Sequence, residues 1–239
     1  MQFSVIILAA GQGKRLKSAI PKPLHLLAGR PLLNWVTQAA KSAGTSQTFI
    51  VTSADTALFS AYIPKDSQLF IQDPPQGTGD AVACTIEALS KLPAEQPVIV
   101  LYADTPLIQP DTIRQLTEQL SQNSSDLCCL AFEAENPTGY GRMVTDGGAL
   151  YAIIEERDAR ADEKAITLVN GGVMGATAGL LCQLLPRLEK ANAQGEYYLT
   201  DLVAMTHQAG MHATFLPVAQ EEVAGINDRL QLAEMEVVI

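Results

Sequence analysis

Two strand-length runs, Phe3–Ala9 and Val98–Ala103, are apolar almost from end to end, with no alternation of polar residues. A strand with one wet face alternates, so strands that read this way must be covered on both faces. Shorter strand-like segments, Thr48–Thr52 and Gln68–Ile71, lie between them. Helical spacing fills the gaps: Pro31–Ala43 closed by Gly44, a helical turn or two over Ala54–Tyr62, and Thr78–Leu92. Pro110–Gln122 follows, with Pro and Asp at its head. Strands buried on both sides and separated by helices predict a Rossmann-like α/β domain with a mostly parallel sheet flanked by helices. The second half changes character. Leu127–Glu133, Arg142–Thr145, Leu150–Glu155 and Leu168–Ala176 are strand-like and separated by turn residues, which predicts an antiparallel elaboration. Helices Ala178–Lys190 and Tyr198–Gly210, strand His212–Val218 and a final helix from Asn227 complete the expected order.

Charge is distributed very unevenly along this framework. The chain of 239 residues carries a net −10, yet no Asp or Glu precedes Asp55. The first strand runs into a segment that holds Gly11, Gly13, Lys14, Arg15, Lys17 and Lys22. A glycine-bearing cationic loop beyond the carboxyl end of a buried strand is a cradle for a small phosphate-rich ligand. The acidic remainder repels nucleic-acid polymers and anionic membranes, so neither is an expected partner. No apolar stretch reaches about 18 residues, which excludes a helical membrane span, and the start lacks a signal-peptide pattern. Cys84, Cys128, Cys129 and Cys182 show no metal spacing and read as buried thiols in a reducing, cytoplasmic setting.

The loop fails two familiar tests. Leu16 stands where a dinucleotide fingerprint needs its third glycine, and no acid follows about 20 residues later. Leu8 occupies the first glycine position of a P-loop, and Arg15 follows Lys14 where Ser or Thr belongs. What remains is backbone N–H groups able to approach phosphate, with Arg15 and Lys22 to neutralise it. Asp104, in Tyr102-Ala103-Asp104-Thr105-Pro106, follows an apolar strand where packing gives a carboxylate no reason to be. It either caps the next turn or serves as a Mg²⁺ ligand facing the phosphate loop. Asn227 alone is equally consistent with an N-cap. Glu155 and Glu156 are neighbours on a strand and point to opposite faces. His207 and His212 lack a third metal ligand.

The stretch Leu8–Arg15 with Pro21 and Lys22 resembles the signature of sugar-phosphate nucleotidylyltransferases. Further segments resemble one branch, the N-terminal uridyltransferase domain of bacterial bifunctional N-acetylglucosamine-1-phosphate uridyltransferase/glucosamine-1-phosphate acetyltransferases. They are Gln76–Gly79, Leu101–Leu107, Asn136–Arg142, Ile154–Ala159, Asn192–Asp201 and Gly225–Arg229, in family order across essentially the whole chain. The resemblance implies the nucleotide-diphospho-sugar transferase fold and a Mg²⁺-dependent transfer of UMP from UTP to N-acetylglucosamine 1-phosphate. The products would be UDP-N-acetylglucosamine, a cell-envelope precursor, and pyrophosphate. It also implies roles. Leu8, Ala9, Ala10, Gly11, Gln72, Gly77 and Thr78 would hold uridine. Arg15 and Lys22 would be catalytic on the phosphates, with Asp104 and Asn227 as metal ligands. Tyr102, Ala103, Gly139, Glu155 and Asn170 would face the amino-sugar.

Several positions depart from the family pattern: Lys14 replaces Thr or Ser, Ala103 replaces Gly and Gly171 replaces Thr, while Pro23 gives the spelling Pro-Lys-Pro-Leu. Residues 1–228 are expected to form the nucleotidyltransferase domain, with a nucleotide-binding part to about residue 110 and a sugar-binding part beyond it. Residues 229–239 read as a C-terminal helix or the start of a linker arm. The family's trimerising left-handed β-helix acetyltransferase domain is not in this sequence; if 239 residues is the natural protein, a monomer without acetyl transfer is expected, whereas the apolar end Val237-Val238-Ile239 favours one half of a bifunctional enzyme.

Overall fold

The computed structural model describes residues 2–239 apart from Gln12, Asp55, Asn123 and Ser124, and the side chain of Lys14 also lies outside the described residues. In chain order the elements are β1 (Ser4–Ala9), β2 (Leu26–Leu27), β3 (Arg30–Pro31), α1 (Leu32–Ala43), β4 (Gln47–Thr52) and β5 (Ser67–Ile71). Then come α2 (Thr78–Ala83), α3 (Ile86–Leu89), β6 (Pro97–Tyr102), α4 (Pro110–Gln122), β7 (Leu127–Glu133), β8 (Arg142–Asp146) and β9 (Ala149–Ile154). The last are β10 (Leu168–Thr177), α5 (Ala178–Leu184), α6 (Asp201–Gln208), β11 (Ala213–Pro217) and α7 (Arg229–Val238).

The central sheet runs β11-β7-β10-β6-β1-β4-β5, with β8 attached to β10 and to β9. β1 pairs in parallel with β4 and β6, and β4 with β5. β10 is the antiparallel insertion between β6 and β7, and β11 returns parallel to β7. This is the mixed α/β architecture expected, with a mostly parallel first half; in the central sheet every antiparallel pair includes a strand of the second half.

The uninterrupted apolar strands are explained by the layers. Along β1, Ile6 and Leu8 enter a core with Val82, Leu89, Leu181 and Leu202, while Val5, Ile7 and Ala9 enter the opposite one with Val36, Ile113 and Leu116. β7 divides in the same way, sending Cys129 to one core and Cys128 to the other. The reading of buried thiols therefore holds for Cys128 and Cys129, whereas Cys84, just past α2, and Cys182, in α5, are only half-buried. Truncating a fully buried strand residue such as Ile6 or Ile7 to alanine is expected to cost about 2–5 kcal/mol, measurable as a lower urea midpoint with unchanged slope.

Three departures from the expected elements have local causes. Thr78–Leu92 is two short helices, not one, because the chain breaks at Cys84 and Thr85; the Thr85 side chain is fully buried and its hydroxyl donates back to the Val82 carbonyl at 2.7 Å. The helix from Ala178 ends at Leu184 and continues as a 3-10 turn over Leu185–Arg187, since Pro186 has no N–H to continue the α pattern. The β2–β3 hairpin was not visible in the sequence. Its two-residue turn, Ala28-Gly29, takes φ values of 48° and 76°, the positive pair that a tight hairpin of this type requires, and alanine gives no signal for it.

The C-terminal helix α7 starts on an Asp228 cap, whose carboxylate accepts from the Gln231 N–H at 2.9 Å. Met235 and Leu232 pack it onto Leu27, Leu32 and Ile226, while Leu230, Val237 and Val238 remain exposed.

Candidate active site

The carboxyl ends of β1 and β6 lie side by side, with Leu8 paired to Tyr102, and β4 flanks β1 on its other edge. Open α/β sheets bind ligands in the crevice at such a point. A cavity of about 250 Å³ opens here. Leu8, Ala10 and Gly11 from β1 and its loop form one wall, and Gln72, Gly77 and Thr78 a second. Tyr102 at the end of β6, with Ala103 and Asp104 just beyond it, lines the third, together with Lys22. Nearly every residue assigned to the nucleotide thus meets in one place. Ala9 is the exception on this wall, since its side chain is buried in the opposite core.

The cationic loop is shaped around Lys22. Gly13 sits at φ +57°, and a Cβ there would lie 2.6 Å from the Lys22 Cβ. Glycine is needed at this position both for its backbone and for the close approach of the lysine stem. Gly11 has nothing within 4 Å of the same construction, so its bare backbone faces the cavity and not a protein neighbour. Gly13→Ala is expected to shift Lys22 and weaken phosphate binding by roughly tenfold or more; pyrophosphate titration by calorimetry checks this.

Lys22 reaches across to the other strand end. Its ammonium forms an ion pair with Asp104 and donates to Asn227 Oδ1 at 2.9 Å. Both partners are largely sheltered: the side chains of Lys22 and Asp104 are 11% and 22% exposed. The backbone locks this arrangement, because Ile226 N–H donates to the Asp104 carbonyl at 2.9 Å and Ala103 N–H to the Leu8 carbonyl at 3.0 Å. Asp104 and Asn227 are 123 positions apart in sequence, yet their oxygens converge on one cation. A carboxylate and an amide oxygen brought together beside the cationic loop fit a Mg²⁺ ion, which takes few protein oxygens and completes its shell from phosphates and water. Arg15 lines the adjoining recess with Gly11, Gly13, Lys22 and Asn227.

The second wall is built by two segments that read separately as motifs. Gly79 N–H donates to the Tyr197 carbonyl and Tyr197 N–H to the Gln76 carbonyl, each at 2.8 Å. Thr78 Oγ1 accepts from Leu199 N–H at 3.0 Å. Gln76–Gly79 and Asn192–Asp201 are therefore one structural unit. Gln72 is pinned from below: its amide nitrogen donates to the Gly77 carbonyl at 2.9 Å and to Asp80 at 2.7 Å, which leaves its carbonyl oxygen as the acceptor. Burial, together with the nearby carboxylates Glu155 and Asp104, pushes the Tyr102 hydroxyl far above its ordinary value, so it remains a neutral phenol.

Of the residues expected at the sugar, Tyr102 and Ala103 line the cavity described above, while Gly139, Glu155 and Asn170 occupy neighbouring strand ends and loops outside it. Glu155 follows β9, where its Oε1 accepts from the Thr200 hydroxyl at 3.0 Å. Burial pushes this carboxyl up, with the Thr200 bond opposing the shift. Asn170, in β10, uses its Oδ1 to accept from Gly172 N–H at 3.0 Å. Gly139 lines a separate cleft of about 460 Å³ that it shares with Arg15 and Asn227. Gly171, a departure from the family pattern, is a packing residue: a Cβ there would meet Val223 Cγ2 at 3.1 Å and the Leu130 carbonyl at 3.2 Å. The other odd position, Lys14, has its backbone in the 3-10 turn Lys14–Leu16, and its side chain is outside the described residues.

Arg142 received no role from the sequence, although it ends one of the specific motifs. It is the largest fully buried side chain. One terminal nitrogen donates to the Tyr140 carbonyl, and the other to Glu156 Oε2 at 2.7 Å. Glu156 in turn accepts from Gly139 N–H at 3.1 Å, and this pair of donors holds its carboxyl below the usual range. A buried guanidinium thus carries the loop that presents Gly139. Arg142→Met is expected to raise the acceptor KM by roughly ten- to a hundredfold with a smaller change in kcat; steady-state kinetics with varied sugar phosphate would reveal it. The signal in the sequence was an arginine next to a strand start with an acid 14 residues on, too common a pattern to stand out.

Fold and site together define a nucleotide-diphospho-sugar transferase-type α/β domain. The chain belongs to the MobA-like NTP transferase domain family, which matches residues 5–210, and it is a nucleotidyltransferase. It is 42% identical over 238 residues to the bifunctional protein GlmU of Azorhizobium caulinodans, covering 98% of this chain and 52% of that protein. It is 38% identical over 236 residues to GlmU of Fervidobacterium nodosum, covering 99% and 50%. GlmU of Maricaulis maris is 43% identical over 235 residues, covering 98% and 51%. The chain spans about half the length of these curated relatives. The resemblance read from the motifs therefore holds across the whole chain. No helix among the described residues is long and apolar enough to cross a membrane.

Proposed function

We propose that this chain transfers UMP from UTP to N-acetylglucosamine 1-phosphate, releasing pyrophosphate and giving UDP-N-acetylglucosamine. The observation that carries the reading is the convergence of Lys22, Asp104 and Asn227, with Lys22 and Asp104 also lining the cavity at the ends of β1 and β6. Identity of about 40% to proteins named GlmU supports the choice of base and sugar. A phosphate oxygen of the sugar phosphate attacks the α-phosphorus of UTP in line. The bond from that phosphorus to the bridging oxygen of pyrophosphate breaks, and the electron pair leaves with pyrophosphate. No covalent enzyme intermediate is needed, so the protein's contribution is position and charge.

The chain's own residues divide that work. Gln72, fixed by Gly77 and Asp80, offers its carbonyl oxygen to a base N–H, and the bare backbone of Gly11 lets the nucleotide lie close to β1. Arg15 and Lys22 bring positive charge to the side where negative charge develops on the leaving group. Lys22 does so by exchanging its present carboxylate partner for phosphate oxygens. Asp104 and Asn227 are the residues that would hold Mg²⁺, which when bound neutralises phosphate charge and orients the triphosphate. Gly139, held by Glu156 and Arg142, lies on the loop that faces the acceptor, while Glu155 and Asn170 offer acceptors for sugar hydroxyls. The reading of a nucleotide-binding module without catalysis fits less well, since binding alone gives little use for an acid and an amide converging on the phosphate side.

A panel of sugar 1-phosphates against the four common nucleoside triphosphates, assayed for pyrophosphate release, tests specificity. UTP with N-acetylglucosamine 1-phosphate should exceed every other pair in kcat/KM. A higher value for glucose 1-phosphate or for another base would reassign the substrate.

A further inference from the structure

The loop that carries Arg15 ends in a single 3-10 turn, Lys14–Leu16, and the next residue, Lys17, takes a left-handed φ of 47°. Such a turn leaves its last carbonyls without partners inside it, and a positive φ at a residue with a side chain persists only where surrounding structure holds it. Two features do so. The Leu16 side chain is buried, at 1% exposure. The guanidinium of Arg229 grips the carbonyls, with Nε donating to Leu16 O at 2.9 Å and Nη2 to Lys17 O at 3.0 Å. This clamp spans more than 210 positions of sequence.

Arg229 is also the first residue of α7, two positions after Asn227 and three after Ile226, whose N–H holds the Asp104 carbonyl. The Asp228 cap and the bond from Asn227 N–H to Gln231 Oε1 at 2.6 Å fix this segment to the helix. One short stretch, 226–229, therefore ties the phosphate loop to the acidic side of the site. We infer that Arg229 is a positioning residue: it fixes the Arg15 turn over the phosphates and so sets pyrophosphate affinity without touching the ligand. The inference rests on the phosphate role of Arg15 given above.

A double-mutant cycle on the intact chain tests it, with inorganic pyrophosphate and magnesium titrated by calorimetry into wild type, Arg15→Ala, Arg229→Met and the double variant. Arg229→Met should weaken pyrophosphate binding by roughly tenfold, with melting temperature within a few degrees of wild type. In the Arg15→Ala background the same change should weaken it less than about threefold, because the group that Arg229 positions is gone. Arg229→Lys should recover part of the loss, since an ammonium can reach one carbonyl but cannot fork across two. Full multiplicative effects in the double variant, or wild-type affinity in Arg229→Met, would overturn the inference. An Arg15→Ala variant with unchanged affinity would instead overturn the phosphate reading, so the two failures are distinguishable.

Discussion

Asp104→Ala should lower pyrophosphate release by about 100- to 1,000-fold, the range expected when one preorganised charge or donor is removed from a transition-state site. The size follows from what the carboxylate holds. It is the ion-pair partner of Lys22, it shares that ammonium with Asn227, and it is the only charged oxygen of the proposed metal pair. Removing it leaves a largely sheltered ammonium with one neutral partner and takes away the anchor that aligns phosphate charge. Asp104→Asn keeps the shape and loses the charge, so its activity should fall between the two. The Asp104 backbone stays tied to the fold through its carbonyl to Ile226, but the carboxylate also holds Lys22, so denaturant unfolding of the variant separates lost activity from lost stability. Release at the wild-type rate in Asp104→Ala, measured at saturating substrates, would remove this residue from the mechanism.

Gly77→Ala should be the most disruptive small substitution at the nucleotide wall. Gly77 sits at φ +118°, outside the region any L-residue visits readily, and a Cβ there would be driven into the Tyr197 backbone, 2.8 Å from its nitrogen. The obstacle is main chain and cannot rotate away. Neither can it retreat freely, because Tyr197 is bonded on both sides to Gln76 and Gly79. The expected cost is about 3 kcal/mol or more, from backbone strain and steric overlap together. Denaturant unfolding should show a lower midpoint at unchanged slope, with UTP affinity reduced as the Gln72–Gly77 bond is lost. Near-wild-type stability with normal UTP binding would mean that the turn accepts a side chain and is not shaped by the close contact.

Much of this site is legible in the amino-acid sequence alone. Continuous apolar strands imply the layers because alternate residues of β1 and β7 feed opposite cores; the one polar residue of β1, Ser4, is buried with its hydroxyl accepting from Gln96 Nε2 at 2.8 Å. The absence of acids before residue 55 marks the cationic loop, and Asp104 stands out as a carboxylate at the end of an apolar strand. The features that are not legible depend on contacts between distant segments. Lys22 bridging Asp104 and Asn227, the Gln76–Gly79 turn zipped to Tyr197 and Leu199, and Arg229 gripping the loop all join residues roughly 80 to more than 200 positions apart. Periodicity and local turn chemistry carry no information about such pairs. Arg142 escapes notice for another reason: nothing in a sequence separates a fully buried arginine from a solvated one. The break at Thr85 and the Ala28-Gly29 hairpin have local causes that the residue types do not announce: a threonine hydroxyl bonded back to Val82 and an alanine at positive φ.

The central claim is that the two strand ends form a working uridylyl-transfer site, and product formation tests it most directly. UTP, N-acetylglucosamine 1-phosphate and Mg²⁺ should give stoichiometric pyrophosphate and UDP-N-acetylglucosamine, resolved by phosphorus NMR, with no release when any one of the three is omitted. Absence of both products with all three present, from a folded chain that still binds UTP, would contradict it.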